Sequence, residues 1–137
     1  MIENFSSDFP KILRRVVQEG ASAGDLRTSL DLMVDQIKRA MNTEVCSVHL
    51  KDQDSQKYIL MATRGLNPEA ARVVTLNKHE GLVGFVGDRA EPLNLNDAQS
   101  HPRNRFIAGL GEEPFHSFLG VPIIHHRKVL GVLVVQQ

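Results

Sequence analysis

Histidines are the side chains of this chain with the widest range of chemistry, but their spacing indicates neither catalysis nor metal binding. They show neither the His-x-His nor the His-Glu-x-x-His spacing that brings two imidazoles to one ion. Adjacent residues on a strand point to opposite faces, so neighbouring histidines are poorly placed to share an ion. No Ser-His-Asp order stands out, and we expect no catalytic residue, no metal and no cofactor. The six histidines are His49, His79, His101, His116, His125 and His126.

The single cysteine, Cys46, lies in the alternating segment EVCSVHLK, with Val48 and Leu50 at two-residue spacing. A reactive cysteine needs an exposed and electropositive environment. We therefore predict that Cys46 is a buried, unreactive thiol. One cysteine also cannot form an internal disulfide bond.

The segment GLVGFVG has glycine at every third position, Gly81, Gly84 and Gly87. It matches neither the GxGxxG nor the GxxxxGK[ST] phosphate-binding loop, so close packing of a helix on a sheet is the favoured interpretation. Anion binding is the alternative, because the first-turn amides of Gly81, Leu82 and Val83 have no helical partners.

Basic residues could serve a carboxylate ligand if the fold brings them together. Arg103 and Arg105 lie in the loop SHPRNRF, which we predict to be a lid, with a solvated charged loop as the alternative. Arg64 ends a predicted strand, and His101 precedes the two loop arginines. The planar guanidinium matches the geometry of a carboxylate.

The composition argues against nucleic-acid and membrane proteins. Lys plus Arg and Asp plus Glu both number 16, and there is one Tyr and no Trp, so neither a basic footprint nor a base-stacking platform is present. The longest apolar run, residues 129–135, is far shorter than the roughly 20 residues that span a bilayer. The N-terminal segment MIENFSSDF lacks the apolar core of a signal peptide. We predict one cytoplasmic domain.

Apolar periodicity predicts two amphipathic helices, over residues 9–17 and 22–41, followed by six short strands. The last two strands form a hairpin across the tip HHRK, and a helix precedes the fourth strand. This order predicts an α+β fold built on a mainly antiparallel sheet. We assign residues 1–42 to a helical segment and residues 43–137 to the sheet and pocket layer of a single domain. The predicted strands are EVCSVHLK, KYILMATR, RVVTLN, PLNLNDA, SFLGVPII and VLGVLVV.

Four stretches follow one another as they do in GAF domains: TEVCSVHL, ATRGL, HEGLVGFVGDRAEPLNLNDAQSHP and FLGVPIIHHRKVLGVLVV. The resemblance implies a six-stranded antiparallel sheet with N-terminal helices on one face and a ligand-pocket layer of helix and loop on the other. The last strand would be central, beside the first. Family members end with a further helix that is missing here, so we expect a domain truncated after Gln137, with an exposed apolar groove along its final strand.

The resemblance also implies where a ligand binds. Ser47 would face the pocket, Arg64 would touch the ligand, and Asn94, Asp97 and Gln99 would form one wall. Asp97 is equally suited to cap a short turn. The predicted ligand-binding residues are Ser47, Arg64, Gly81, Leu82, Val83, Asn94, Asp97, Gln99, Arg103 and Arg105.

The runs TEVCSVHL, LMATRGL and GVLVVQQ are similar to the GAF domains of bacterial phosphoenolpyruvate-protein phosphotransferases of the nitrogen phosphotransferase system. This likeness implies a non-catalytic, homodimeric sensor of a metabolite such as glutamine or 2-oxoglutarate. It would control autophosphorylation by downstream phosphotransferase domains of the same chain. The alternatives are an interaction module without ligand and a cyclic-nucleotide GAF domain, although the NKFDE signature of the latter is absent. A sulfoxide-reducing member would need several cysteines.

Overall fold

The structure, a computed structural model, describes residues 23–137. The predicted helix over residues 9–17 lies outside the described residues. The first described element is helix α1, Ala23–Met41. Its positions Leu30, Met33, Val34 and Ile37 recur every three or four residues and are all buried, as in a helix that covers a core with one face. Asn42 follows with a positive φ of 53°, a conformation that commonly ends helices.

Six strands form one sheet in which all neighbours are antiparallel, in the order β3-β2-β1-β6-β5-β4. The predicted fold class is confirmed, and the last strand lies beside the first. The third and fourth strands are shorter than predicted and form the two sheet edges, where short strands limit pairing with other chains. The strands are β1 Val45–Lys51, β2 Tyr58–Arg64, β3 Thr75–Leu76, β4 Leu93–Leu95, β5 Phe118–His125 and β6 Lys128–Gln136. Helix α2, Gly81–Arg89, lies between β3 and β4 along the chain.

The two faces of the sheet carry separate apolar clusters. On one face, Cys46 and Val48 of β1 share a cluster with residues of α1. On the other, Val132 and Val134 of β6 share a cluster with Val86 of α2. The chain therefore builds three layers, with α1 on one side of the sheet and α2 on the other.

The expected apolar groove along the final strand is wrong. Leu133 and Val135 are each 6% exposed and belong to the same cluster as Leu30 and Met33 of α1. The central strand β6 is therefore buried on both faces, since Val132 and Val134 on the other face are 0% and 2% exposed. This double cover explains why its sequence does not alternate between apolar and polar residues.

The last two strands form the predicted hairpin, and its turn consists of two residues of the HHRK segment. His126 and Arg127 both have positive φ, 50° and 64°, and His125 pairs with Lys128 across them. Two positive φ values are typical of the type I′ turn, whose twist matches that of paired strands. No cluster of three metal-ligating side chains was found within residues 23–137.

Two glycines of α2 allow close packing, and Gly87, which meets Tyr58 of the sheet, supports the favoured interpretation of GLVGFVG. A Cβ atom at Gly84 would lie 2.6 Å from the carbonyl carbon of His79. A Cβ atom at Gly87 would overlap the hydroxyl of Tyr58, which is 1% exposed. The helix thus approaches backbone and a buried ring more closely than any side chain would permit.

We expect Gly84→Ala to lower the free energy of unfolding by about 1–3 kcal/mol, because the new methyl group meets backbone that cannot move aside. Urea unfolding of the variant and the wild type measures the difference. Gln36→Ala, at an exposed position of α1, is the control and should change stability by less than about 0.5 kcal/mol. A neutral Gly84→Ala would contradict the packing explanation.

Candidate functional site

A small cavity of about 30 Å³ lies between the sheet, the N-terminal end of α2 and the segment that joins β4 to β5. We call that connection, residues 96–117, the lid segment. Apolar side chains such as Leu76, Ile107 and Phe118 form part of the wall. The polar side chains of the wall belong to His49, Asn104, Arg105, Glu112 and Gln136.

His49 brings an uncharged imidazole to the wall. It is 5% exposed, and burial lowers the pKa of its ring to about 4, so the ring is neutral at neutral pH. Its Nδ1 atom is buried and has no hydrogen-bond partner in the described part of the chain. The position follows from strand parity, because His49 stands on β1 two residues after Ser47, on the face opposite Cys46 and Val48.

Gln136 and Glu112 join the central strand to the lid segment. The Gln136 Nε2 atom donates a hydrogen bond to Glu112 Oε2 at 2.9 Å. The Gln136 Oε1 atom is buried and has no partner within the described residues. Burial raises the pKa of the Glu112 carboxyl, and the hydrogen bond from Gln136 opposes that rise.

Two unpartnered polar atoms at one cavity distinguish it from the rest of the core. A buried donor or acceptor left without a partner costs about 1–3 kcal/mol, and native structures contain few such atoms. His49 Nδ1 and Gln136 Oε1 are the two buried side-chain atoms in this condition among residues 23–137. Both atoms belong to residues of the cavity wall.

The N-terminal end of α2 adds hydrogen-bond donors to the same wall. Gly81, Leu82 and Val83 line the cavity, and the amides of a first helical turn have no partners within the helix. Glu80 precedes them but does not cap the helix with its side chain. Instead its Oε1 accepts from the Asn77 amide at 2.9 Å.

Two arginines of the lid segment contact α2 and the residues just before it. The Arg105 Nε atom lies 2.8 Å from Glu80 Oε2. The Arg103 guanidinium lies 3.7 Å from Asp88 Oδ2 and 5.2 Å from the centre of the Phe85 ring, and it donates to the carbonyl oxygen of His79. Both arginines thus contact α2 or the residues just before it.

Four of the predicted site residues line the cavity: Gly81, Leu82, Val83 and Arg105. Ser47 lies on the same face of the sheet, but its hydroxyl is buried in a 2.8 Å hydrogen bond with Thr63 Oγ1. Its ligand-binding role stays a prediction.

Arg64 lies on the opposite face of the sheet. Its guanidinium is 3.9 Å from Asp31 and 3.8 Å from Asp35, both on α1. The cause is a register shift between β1 and β2, where Val48 pairs with Ala62 and His49 with Leu60, so that the intervening Met61 is extra. One extra residue reverses the face to which the following side chains point.

The remaining predicted residues lie outside the cavity wall. Asn94 and Asp97 are exposed, and Gln99 donates from Nε2 to the carbonyl oxygen of Glu113 at 3.1 Å. Asp97 precedes a short 3-10 turn but makes no side-chain capping bond. Arg103 contacts the outer side of α2 instead of the cavity.

The sequence did not single out Glu112 or Gln136 as site residues. Glu112 lies in an aperiodic loop, and Gln136 ends a strand whose preceding residues are apolar. His49 carried a signal, since it shares the strand face of Ser47.

Comparison with known proteins identifies the fold family. A family model for the GAF domain matches residues 25–137. The chain belongs to the GAF domain family. The likeness to phosphotransferase members is confirmed as well, since the chain is 55% identical over 117 residues to a phosphoenolpyruvate-dependent phosphotransferase system protein of Escherichia coli strain K12. That match covers 85% of this chain and 16% of the relative, so the chain spans about a sixth of the relative's length.

Two solved GAF domains of phosphoenolpyruvate-protein phosphotransferases are similar in sequence and structure. The domain from Acinetobacter is 47% identical with a TM-score of 0.71, covering 93% of this chain and 75% of that one. The domain from Coxiella burnetii is 42% identical with a TM-score of 0.78, covering 96% and 79%.

Two further features of this GAF domain concern the reactivity of its cysteine and the length of its helices. Burial raises the pKa of Cys46 to about 12, so its sulfur stays protonated at neutral pH, as the sequence predicted for an unreactive thiol. Neither described helix is both long and apolar enough to cross a membrane.

The buried His49 predicts an acid-sensitive stability. Its pKa falls from 6.5 to about 4 on folding, so between these pH values the unfolded chain binds a proton that the folded chain does not. We expect stability that is fully present above pH 6.5 to be lost as pH falls, by roughly 3 kcal/mol in total at about 1.4 kcal/mol per pH unit. His49→Asn should lack this loss.

Urea unfolding at a series of pH values measures the difference between His49→Asn and the wild type. The raised pKa of Glu112 acts in the opposite direction, but it is present in both proteins and cancels in the comparison. His116→Asn, at an exposed position, is the control. Parallel pH profiles for His49→Asn and the wild type would show that His49 is not buried as a neutral ring.

Proposed function

We propose that this GAF domain senses a small nitrogen metabolite and thereby regulates a phosphoenolpyruvate-protein phosphotransferase. The observation that supports the proposal is the cavity under the N-terminal end of α2. Its wall includes His49 and Gln136, each of which carries a buried polar atom without a partner in the described chain, among apolar side chains. A mostly apolar cavity with a few converging polar groups is typical of a small-molecule site.

The size of the cavity sets the mechanism. A volume of about 30 Å³ holds a water-sized group and is too small for an amino acid. A metabolite therefore enters only when the lid segment moves away from α2. The outer contacts oppose this movement weakly, because the side chains of Arg103 and Arg105 are 39% and 65% exposed and ion pairs of solvated groups contribute about 0–1 kcal/mol each.

Signal transmission follows from this coupling. A ligand that favours one position of the lid segment shifts the population of the domain toward that position. The lid and α2 then present a different surface to the downstream phosphotransferase domains, which changes autophosphorylation. A cytoplasmic homodimer, which the resemblance implies, belongs to the same proposal.

Of the two metabolites that the resemblance implies, the geometry favours glutamine over 2-oxoglutarate. Arg64 and Arg103, which would have suited a dicarboxylate, make ion pairs away from the cavity. Glu112 adds an acidic group to the wall, and Arg105 already has Glu80 as its partner.

We expect the 137-residue chain to bind glutamine, with binding measured by isothermal titration calorimetry and by thermal unfolding. A ligand at 100 times its Kd stabilises the folded state by about 2.7 kcal/mol. Gln136→Met keeps the side-chain length but removes the acceptor, and it should weaken binding at least about tenfold. His116→Asn is the control and should bind as the wild type does.

Two outcomes would redirect the proposal. Absence of heat and of thermal stabilisation with both metabolites at millimolar concentration would contradict sensing and favour an interaction module without ligand. Binding of a cyclic nucleotide with no response to either metabolite would favour the cyclic-nucleotide alternative.

A further inference from the structure

The orientation of the Gln136 amide is fixed by its partner. The Gln136 NH₂ group donates to Glu112 Oε2 at 2.9 Å, and in its ionised form the Glu112 carboxylate can only accept hydrogen bonds. The opposite orientation would place the amide oxygen against a carboxylate oxygen. The Oε1 atom of Gln136 is therefore held as a hydrogen-bond acceptor, buried and without a partner in the described chain.

The formal charges of the cavity wall, like this acceptor, disfavour an anionic group beside Gln136. Glu112 is acidic, and its hydrogen-bond partner Gln136 is uncharged. Arg105 is basic, but its Nε atom lies 2.8 Å from Glu80. His49 is a neutral ring at neutral pH. An anionic group placed beside Gln136 would meet an acceptor and a nearby carboxylate, whereas an N–H group would meet two acceptors.

We propose that Glu112 is the specificity-determining residue of the cavity, because it orients Gln136 and so selects a ligand end that carries N–H groups over one that carries a carboxylate. This inference rests on the proposed function, since it concerns the selectivity of the same cavity. The amides at the N-terminal end of α2 supply hydrogen-bond donors to the same wall. A carboxamide has both a C=O and an NH₂ group, so it can accept from these amides and donate to the Gln136 oxygen.

Formamide and formate test the inference directly. They are nearly equal in size and much smaller than an amino acid, and they differ in whether an N–H group or a charged oxygen is offered. Titration of the ¹⁵N-labelled 137-residue chain, followed at the side-chain amide signals of Gln136, gives a Kd for each probe. We expect formamide to bind the wild type at least about tenfold more tightly than formate.

Glu112→Gln is the decisive variant, because it removes the charge while keeping the shape. A glutamine at this position can accept from Gln136 Nε2 or donate to its Oε1, so the amide of Gln136 is free to turn. We expect the preference for formamide to fall at least about tenfold or to reverse. Glu113→Gln makes the same charge change at the exposed neighbouring position and should keep the wild-type preference.

Each outcome decides the matter. A wild type that prefers formate, that binds neither probe at Gln136, or that shares its preference with Glu112→Gln would overturn the inference, and the first two results need no variant to fold. Failure of the proposed function looks different: glutamine and 2-oxoglutarate would not bind, while formamide would still be preferred at Gln136.

Discussion

The central position of β6 is the constraint on which the rest of this structure depends. Hydrogen bonds to β1 on one side and β5 on the other leave its residues no solvent-facing edge. Both of its faces are buried, with Leu133 and Val135 in the apolar cluster that includes α1 and Val132 and Val134 in the cluster that includes α2. The backbones are close enough that a Cβ atom at Gly131 would overlap the carbonyl oxygen of His49. The same strand carries Gln136 into the cavity, so the element that closes the core also supplies part of the site.

Buried polar side chains on the α2 face of the sheet are of two kinds. One kind bonds to another side chain, and the other keeps an atom without a partner in the described chain. Ser47 and Thr63 are as buried as their apolar neighbours, but their hydroxyl groups bond to each other at 2.8 Å. His49 and Gln136 are equally buried, yet each keeps one atom without a partner in the described chain. A satisfied pair adds order to a core, whereas unsatisfied groups that share a cavity are costly for stability. Ser47, predicted to be a ligand contact, belongs to the first kind in this structure.

Strand periodicity predicted the sheet because burial of alternate positions produces alternating apolar and polar residues in the sequence. The central strand was recognisable because its residues are apolar without alternation. The glycines of α2 were recognisable by their spacing. The site was harder to predict. Arg64 would share the face of Tyr58 and Leu60 if β2 alternated regularly, but the extra residue Met61 moves it to the other face. Nothing local in the sequence marks that shift, since it depends on pairing with β1. Glu112 belongs to the site only because the lid segment folds back over the strand end, a long-range contact without a periodic signal.

If the domain senses a ligand as proposed, the contact between Glu112 and Gln136 links the cavity to the lid segment. The outer ion pairs of the lid segment involve partly solvated arginine side chains and contribute little to its position. The base of the lid is held by backbone bonds, such as that from the Ala98 amide to the carbonyl oxygen of His116 at 2.7 Å. Within the described chain, the Glu112 bond to Gln136 is the side-chain hydrogen bond that ties the lid to the cavity wall of the sheet. A ligand that bonds to Gln136 acts on the partner of this bond. Its binding energy is then expressed as a difference between lid positions, and a ligand can shift an equilibrium only by such a difference.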